Sequence, residues 1–224
     1  MKNMEFKRFE TGLGKEGADN EVYEKADLIV QTTNRCSKRC KACYLAENSE
    51  TEKEELSQEI YEDCISKLQE GDLVALRGGE ITTIKDWFEK FVAPALNKGL
   101  KVMLETNGYF IGTKEYENIL KNLCDDRISV RISFDKEHLN EKDSLSEFEK
   151  MAKFANDAKN NGIKFGFYAL GMDRNQIQDF VKETPLESYS NEFHSLTFYP
   201  KISELAIKGK YLKSDGQLSD RIEV

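Results

Sequence analysis

Between Thr32 and Tyr44 the chain reads Thr-Thr-Asn-Arg-Cys-Ser-Lys-Arg-Cys-Lys-Ala-Cys-Tyr, which sets Cys36, Cys40 and Cys43 in a C-x-x-x-C-x-x-C spacing. Three thiolates so close in sequence can converge on one centre. With three protein ligands instead of four, that centre keeps an open coordination position, which separates a reactive site from a closed structural one. Arg35, Lys38, Arg39 and Lys41 surround the thiols. Positive charge lowers thiolate pKa values and offsets the negative charge of an iron–sulfur–thiolate cluster. A structural zinc site needs a fourth ligand, and the candidates are Cys64, Cys124, His138 and His194. Cys64 falls on the apolar face of a predicted helix and Cys124 ends another, so both read as buried small hydrophobes. The two histidines are isolated and give no ligand spacing. The residues favour an open iron–sulfur site, with zinc and chance thiols as the alternatives.

The cysteines follow a short apolar run, and that run is the first of several. The predicted strands are 26–33, 72–76, 100–105, 127–134, 164–169 and 195–199. They read as continuous apolar runs, which suits strands covered on both faces. Helix signals fall between them. Ser57 caps a helix carrying Ile60, Cys64 and Leu68, closed by Gly71. Thr83 caps a second, with Phe88, Phe91, Val92, Ala95 and Leu96 inward, Gly99 as the stop, and a kink or early break at Pro94. Thr113 begins a third, carrying Tyr116, Ile119, Leu120 and Leu123. Ser144 and Glu147 form a capping box for a fourth, which ends at Gly162. Asp173 caps a fifth with Ile177, Phe180 and Val181. Strand and helix alternate with a period of roughly 30 residues, that of a βαβ unit. Parallel pairing with right-handed crossovers follows. The expected fold is α/β: a partial (β/α)6 barrel with parallel strands and its active site at their carboxyl ends. The boundaries are an N-terminal extension at 1–25, a core at 26–200, and a C-terminal tail at 201–224 that packs on the core.

Composition limits the setting. The chain has 224 residues and a formal net charge of −8, which argues against broad nucleic-acid binding. Thirteen Phe and nine Tyr are enough to fill a core. No apolar run is long enough to span a bilayer and no leader-like segment opens the chain, so the expected location is the cytoplasm, with no membrane partner. Five cysteines in that compartment read as ligands or core fillers and not as a disulfide framework.

Four strand-end motifs, taken in order, carry a resemblance. After the cysteine run come Leu76-Arg77-Gly78-Gly79-Glu80, Leu104-Glu105-Thr106-Asn107-Gly108, and Arg131-Ile132-Ser133-Phe134-Asp135. Together they resemble the radical S-adenosylmethionine (radical SAM) superfamily over about residues 26–135. The resemblance implies a [4Fe–4S] cluster on Cys36, Cys40 and Cys43, with the amino and carboxylate groups of SAM on the fourth iron. One electron then cleaves the sulfonium to a 5′-deoxyadenosyl radical that abstracts hydrogen from substrate.

In that frame Gly78 and Gly79 let the backbone approach a ligand closely, and Glu80 meets the SAM ammonium. Glu105, Asn107, Ser133 and Asp135 reach toward the ribose hydroxyls or the SAM carboxylate. Arg131 faces the same way as Ser133 and pairs with that carboxylate. Tyr44 packs near the adenine, and Ala42 offers it a backbone contact where the family often carries an aromatic residue. Ile81 stands where proline often follows Gly-Gly-Glu, and Phe167-Tyr168-Ala169-Leu170-Gly171 replaces the family's glycine-rich fifth-strand motif.

The resemblance implies hydrogen abstraction from a small molecule, nucleobase or peptide, with a low-potential donor such as a flavodoxin or ferredoxin. The alternatives are a glycyl-radical activase acting on a partner protein, and a non-enzymatic iron–sulfur or zinc protein. The Phe9–Gly17 loop reads as a frayed terminus in preference to a substrate lid. The tail with Lys208, Lys210 and Lys213 reads as closing the barrel in preference to clamping an anionic substrate.

Overall fold

The computed structural model describes residues 26–38, 40, 43, 54–136, 138–139, 144–196, 210–212 and 218–219. Its sheet is built from β1 (Leu28–Gln31), β2 (Leu73–Arg77), β3 (Lys101–Thr106), β4 (Ile128–Ser133), β5 (Lys164–Leu170) and β6 (Phe193–Leu196). These six strands lie side by side in chain order and all pair in parallel. Parallel neighbours need a crossover. The crossovers hold α1 (Gln58–Ser66), α2 (Ala93–Asn97), α3 (Tyr116–Asn122), α4 (Ser144–Asn160) and α5 (Arg174–Val181). Two short tail strands extend the sheet beyond β1. The first, β7 (Lys210–Leu212), pairs parallel with β1, and β8 (Leu218–Ser219) pairs antiparallel with β7. The fold is the partial (β/α)6 barrel that the alternation of strands and helices predicts. Among the described residues, no helix is long and apolar enough to cross a membrane.

Several elements differ locally from the sequence expectation. The buried stripe of α1 is Tyr61, Cys64 and Ile65, while Ile60 is 39% exposed. The Tyr61 hydroxyl sets that rotation by donating to the Phe91 carbonyl at 2.6 Å. Thr83 does not cap a helix; its hydroxyl donates to the Glu80 carbonyl within a 3-10 turn, Ile81–Thr83. The second helix begins as a wide π turn, Phe88–Val92, and becomes α at Ala93. Pro94 lies in the first α turn, where its missing N–H costs little, so its effect is this change of helical pitch. The third helix starts at Tyr116, three residues after Thr113. Asp173 caps α5 in a full capping box with Gln176. The Ser144 side chain lies outside the described set.

The two faces of the sheet differ in character. Leu28, Val30, Val74, Leu76, Val102, Leu104, Ile128, Val130, Ile132 and Phe167 belong to one buried cluster that also contains the helix residues. At its centre Phe134 meets Phe148, Phe167, Phe180 and Phe193 at centroid distances of 5.2–6.5 Å. The opposite, lumen-facing side has only a small apolar patch of Leu73, Ala75 and Met103. Along β4 burial alternates strictly between buried and half-buried. The expectation of strands covered on both faces holds for β2 and β5, each with four successive buried residues, and is corrected for β4, where one face packs on helices and the lumen-facing residues are only half-buried.

Candidate active site at the carboxyl ends of the strands

The cysteine segment leaves β1 and is gripped from both sides by main chain. On one side Thr33 bridges Glu55, Leu56 N–H donates to the Thr32 carbonyl at 2.9 Å, and the Thr33 hydroxyl donates to the Glu54 carbonyl at 2.6 Å. On the other, Gly79 N–H donates to Thr33 O and Glu80 N–H to Arg35 O, both at 2.7 Å. A Cβ on Gly78 would lie 2.6 Å from the Thr33 carbonyl oxygen, and one on Gly79 would overlap the Arg35 carbonyl. The glycine pair thus admits a close approach, though the sequence reading expected a ligand there. The partner that approaches is the backbone of the cysteine loop itself.

Side chains complete the seat. Cys36 Sγ accepts from Lys38 N–H at 3.4 Å and from Asn107 Nδ2 at 3.5 Å, and Asn107 Nδ2 also donates to Ser37 Oγ at 3.3 Å. Lys38 Nζ reaches away from the thiols, to the His138 carbonyl and to Glu147 Oε2 at 3.3 Å. His138 donates from Nδ1 to Asp135 Oδ1 at 2.8 Å and is hydrogen-bonded to Cys40 as well. Burial works against its charge, but Asp135 and Cys40 outweigh it and push the imidazole up to about 9.

The Cys36 thiol is also pushed up, chiefly by burial and further by Glu80 and the other two cysteines, despite the Lys38 N–H. Lys38, one of the four basic neighbours, is engaged by Glu147 and the His138 carbonyl. A metal held by these cysteines would deprotonate them on coordination.

Two carboxylates that the sequence assigns to ligand contact also act as latches between strand ends. Glu80 is fully buried. Its Oε1 accepts from Thr82 N–H at 3.1 Å, Thr82 Oγ1 at 2.6 Å and Thr106 Oγ1 at 2.7 Å, while Oε2 accepts from Asn107 N–H at 2.7 Å. Burial pushes its carboxyl up against the pull of these donors. Asp135 ties the end of β4 to β5 by accepting Leu170 N–H at 3.0 Å and the His138 ring. Burial opposes its ionisation, yet His138 and Leu170 N–H hold it below the usual carboxylate range.

Below this rim runs a crosswise row in the lumen. Gln31 is in register with Arg77, and Glu105 with Arg131. Glu105 pairs with both arginines, at 3.4 Å to Arg77 Nε and 3.3 Å to Arg131 NH1. The Arg131 guanidinium lies 4.2 Å from the Tyr168 ring centroid. Ser133, one inward-facing position further along β4, is half-buried at the strand end.

The structure thus brings together Cys36, Cys40, Gly78, Gly79, Glu80, Asn107 and Asp135, with Glu105, Arg131 and Ser133 on the lumen side. Ala42 and Tyr44 lie outside the described residues, as do Arg39 and Lys41. The sequence reading set His138 aside as isolated and gave no role to Thr82, Thr106, Arg77 or Tyr168. Period-two alternation would have found Arg77 and Tyr168, and the Asp135-x-x-His138 spacing would have found the imidazole.

Cys64 is buried within α1 as expected, whereas Cys124 is exposed, which corrects its reading as a buried hydrophobe; its thiol donates to the Leu120 carbonyl at 3.2 Å. Among the described residues, no three His, Cys, Asp or Glu side chains are close enough to share one metal ion. Three soft thiol donors on a seated loop, with N–H groups aimed at the Cys36 sulfur, are the donor set an iron–sulfur cluster takes.

A parallel partial barrel with this loop at the carboxyl ends of its strands is an enzyme scaffold whose chemistry sits at one rim. Residues 30–183 match the radical SAM superfamily, and the chain belongs to that family of enzymes. The family implies a [4Fe–4S] cluster.

Among similar proteins is a Methanocaldococcus jannaschii protein named as a candidate glycyl-radical enzyme activating enzyme. It is 27% identical over 213 residues, covering 85% of this chain and 87% of that one. The fold is similar to that of Streptococcus suis SuiB bound to S-adenosylmethionine, with a TM-score of 0.59, 15% identity, and coverage of 87% of this chain and 60% of that one. It is also similar to SuiB bound to the precursor peptide SuiA, with a TM-score of 0.58, 19% identity, and coverage of 82% and 42%. A third likeness is to anSMEcpe with bound AdoMet, with a TM-score of 0.57, 17% identity, and coverage of 76% and 51%. The chain spans about half the length of these solved structures.

Proposed function

We propose that Cys36, Cys40 and Cys43 hold a [4Fe–4S] cluster, that SAM binds beside it at the rim, and that the enzyme starts its reaction by abstracting a hydrogen atom from a small-molecule, nucleobase or peptide substrate in the lumen. The observation that carries this reading is the seating of the cysteine loop on Gly78, Gly79 and Glu80 in a chain of this family. When bound, the cluster supplies the electron for reductive cleavage of SAM, delivered by a low-potential donor such as a flavodoxin or ferredoxin.

The protein's own residues supply position. Asn107 and Lys38 N–H stabilise the Cys36 sulfur, and His138 orients Cys40. Glu80 fixes the rim and presents negative charge to the SAM ammonium; Ser133 and Asp135 flank its ribose and carboxylate. Ala42 and Tyr44 border the adenine. Residues 26–200 form the working core, and a thiol-bearing loop of this kind suits a reducing cytoplasm.

Anaerobic reconstitution followed by reduction tests the proposal. The expected result is a SAM-dependent yield of 5′-deoxyadenosine that disappears in Cys40→Ala. Intact SAM after reduction of a confirmed cluster would refute it. Glu80→Ala is expected to retain iron and to weaken SAM binding in titration.

A second reading is a glycyl-radical activase, favoured by the named relative from Methanocaldococcus jannaschii. A glycyl-radical EPR signal that appears only when a partner protein is added selects it.

A further inference from the structure

Asn107 leaves β3 with both ends of its carboxamide and its backbone N–H engaged. The backbone N–H donates to Glu80 Oε2 at 2.7 Å. Side-chain Oδ1 accepts from Tyr109 N–H at 3.0 Å, which closes a short Asx turn over Gly108. Gly108 takes the left-handed conformation, at φ +78°, and a Cβ there would come within 2.6 Å of Met151 Cε on α4. The turn is therefore packed against α4, and the amide is held in one orientation. With Oδ1 pinned to Tyr109, Nδ2 faces the cysteine loop. There it donates to Cys36 Sγ at 3.5 Å and to Ser37 Oγ at 3.3 Å.

Few residue types can hold that turn and reach that sulfur. Aspartate closes the same turn but has no N–H to give. Serine closes it as well, but its hydroxyl is too short to bridge to Cys36. A carboxamide carries an acceptor at one end and a donor at the other. The thiol and its donor also differ in setting: Cys36 is exposed, while Asn107 is 6% exposed. The sulfur stays accessible to a metal, and its donor is built into the fold. A second neutral N–H, that of Lys38, reaches the same sulfur at 3.4 Å.

We infer that Asn107 is a positioning residue for the iron–sulfur cluster and raises its reduction potential, through the Nδ2–H bond to the Cys36 sulfur. Reduction adds one electron, taken from the low-potential donor, to a centre whose thiolates already bear negative charge. An N–H aimed at one of those sulfurs stabilises the added charge, so the reduced form gains more from the bond than the oxidised form does. Asn107 then serves the cluster and not, as the sequence suggests, the ribose or carboxylate of SAM, an assignment that rests on the proposed radical SAM reading and deepens it.

The test is a redox titration of the anaerobically reconstituted full chain without SAM, poised with titanium(III) citrate and followed by the EPR signal of the reduced cluster. Asn107→Ser keeps a hydroxyl for the Tyr109 N–H and withdraws the donor from Cys36. At the parent's midpoint its ratio of reduced to oxidised cluster is expected to fall about tenfold, a downward shift of about 59 mV. A merely structural role predicts the other sign or no shift, because loosening admits water, which donates to the sulfur in place of the amide. A parent chain labelled with heavy nitrogen in its asparagine side chains supplies a measurement that needs no variant. Pulsed EPR of its reduced cluster is expected to show a coupling to the label, transmitted through the N–H···S bond. An unchanged or higher potential in Asn107→Ser overturns the inference. So does a missing coupling in the labelled parent, which decides the matter if the variant takes up no iron. Weaker SAM binding in Asn107→Ser at an unchanged SAM-free potential assigns the amide to SAM and overturns it as well. All three outcomes are read on protein that holds a reducible cluster. A parent chain that assembles none, or leaves SAM intact after reduction, sinks the radical SAM reading instead and the inference with it.

Discussion

The chemistry at the rim depends on single atoms that are absent as much as on those present. Gly78 and Gly79 lack the Cβ that would strike Thr33 and Arg35. Gly79→Ala is therefore expected to lift the cysteine loop off its seat. Iron bound per chain after reconstitution should fall several-fold, while far-UV circular dichroism stays unchanged. By contrast, Cys64→Ala removes a thiol buried in α1, away from the loop. It should leave iron content intact and cost about 1 kcal/mol in urea unfolding.

The cysteine spacing and the strand-end motifs were legible at this scale because each is local in sequence. The partners of those residues were not. Glu80 meets Thr106 and Asn107 across 26 and 27 residues, and no pattern in either segment alone reveals the match. Lys38 looked like a cation for the thiols. It turns to Glu147, 109 residues away, because a carboxylate at the start of α4 competes for it.

Among the elements, strands were read more faithfully than helix starts. Continuous apolar runs located β1 to β5 within two residues, because the helix-facing half of each strand is densely apolar. The lumen-facing half went unread: Arg131, Ser129 and Ser133 interleave with Ile128, Val130 and Ile132, and that alternation is the mark of a one-sided strand. Helix starts shifted where a turn took the expected cap. Thr83 and Thr113 each donate to a carbonyl three residues back and close a turn before the helix begins. Asp173 does cap, since its carboxylate accepts from Gln176 N–H at 2.9 Å and Gln176 answers at Asp173 N–H. Asp173→Ala should lose about 1 kcal/mol of stability, read as a lower urea midpoint. The capping box is local to α5, so iron content should not change.

At the scale of the molecule, stability and reactivity sit on opposite faces of one sheet. The aromatic cluster around Phe134 joins β4, β5, β6, α4 and α5, and no cysteine of the loop belongs to it. Phe134→Ala should cost about 3–5 kcal/mol and lower the urea midpoint with or without iron. Removing iron from the parent protein by chelation should, in turn, leave the slowest-exchanging amides of β2 to β5 protected, because their burial comes from the helix side. Collapse of that protection on chelation would mean that the metal, and not the aromatic cluster, holds the sheet together.

The order of the strands also bears on biosynthesis. Each of β2 to β6 has its predecessor for a neighbour, so an emerging polypeptide can add them one at a time, always onto an edge already made. The exception is β1, whose second edge is covered by Lys210–Leu212, some 180 residues downstream. Until the ribosome has passed that point, the strand leading into the cysteines has one bare flank. A translation pause before residue 210 would therefore expose the cysteine-bearing end of the sheet while leaving its opposite end complete.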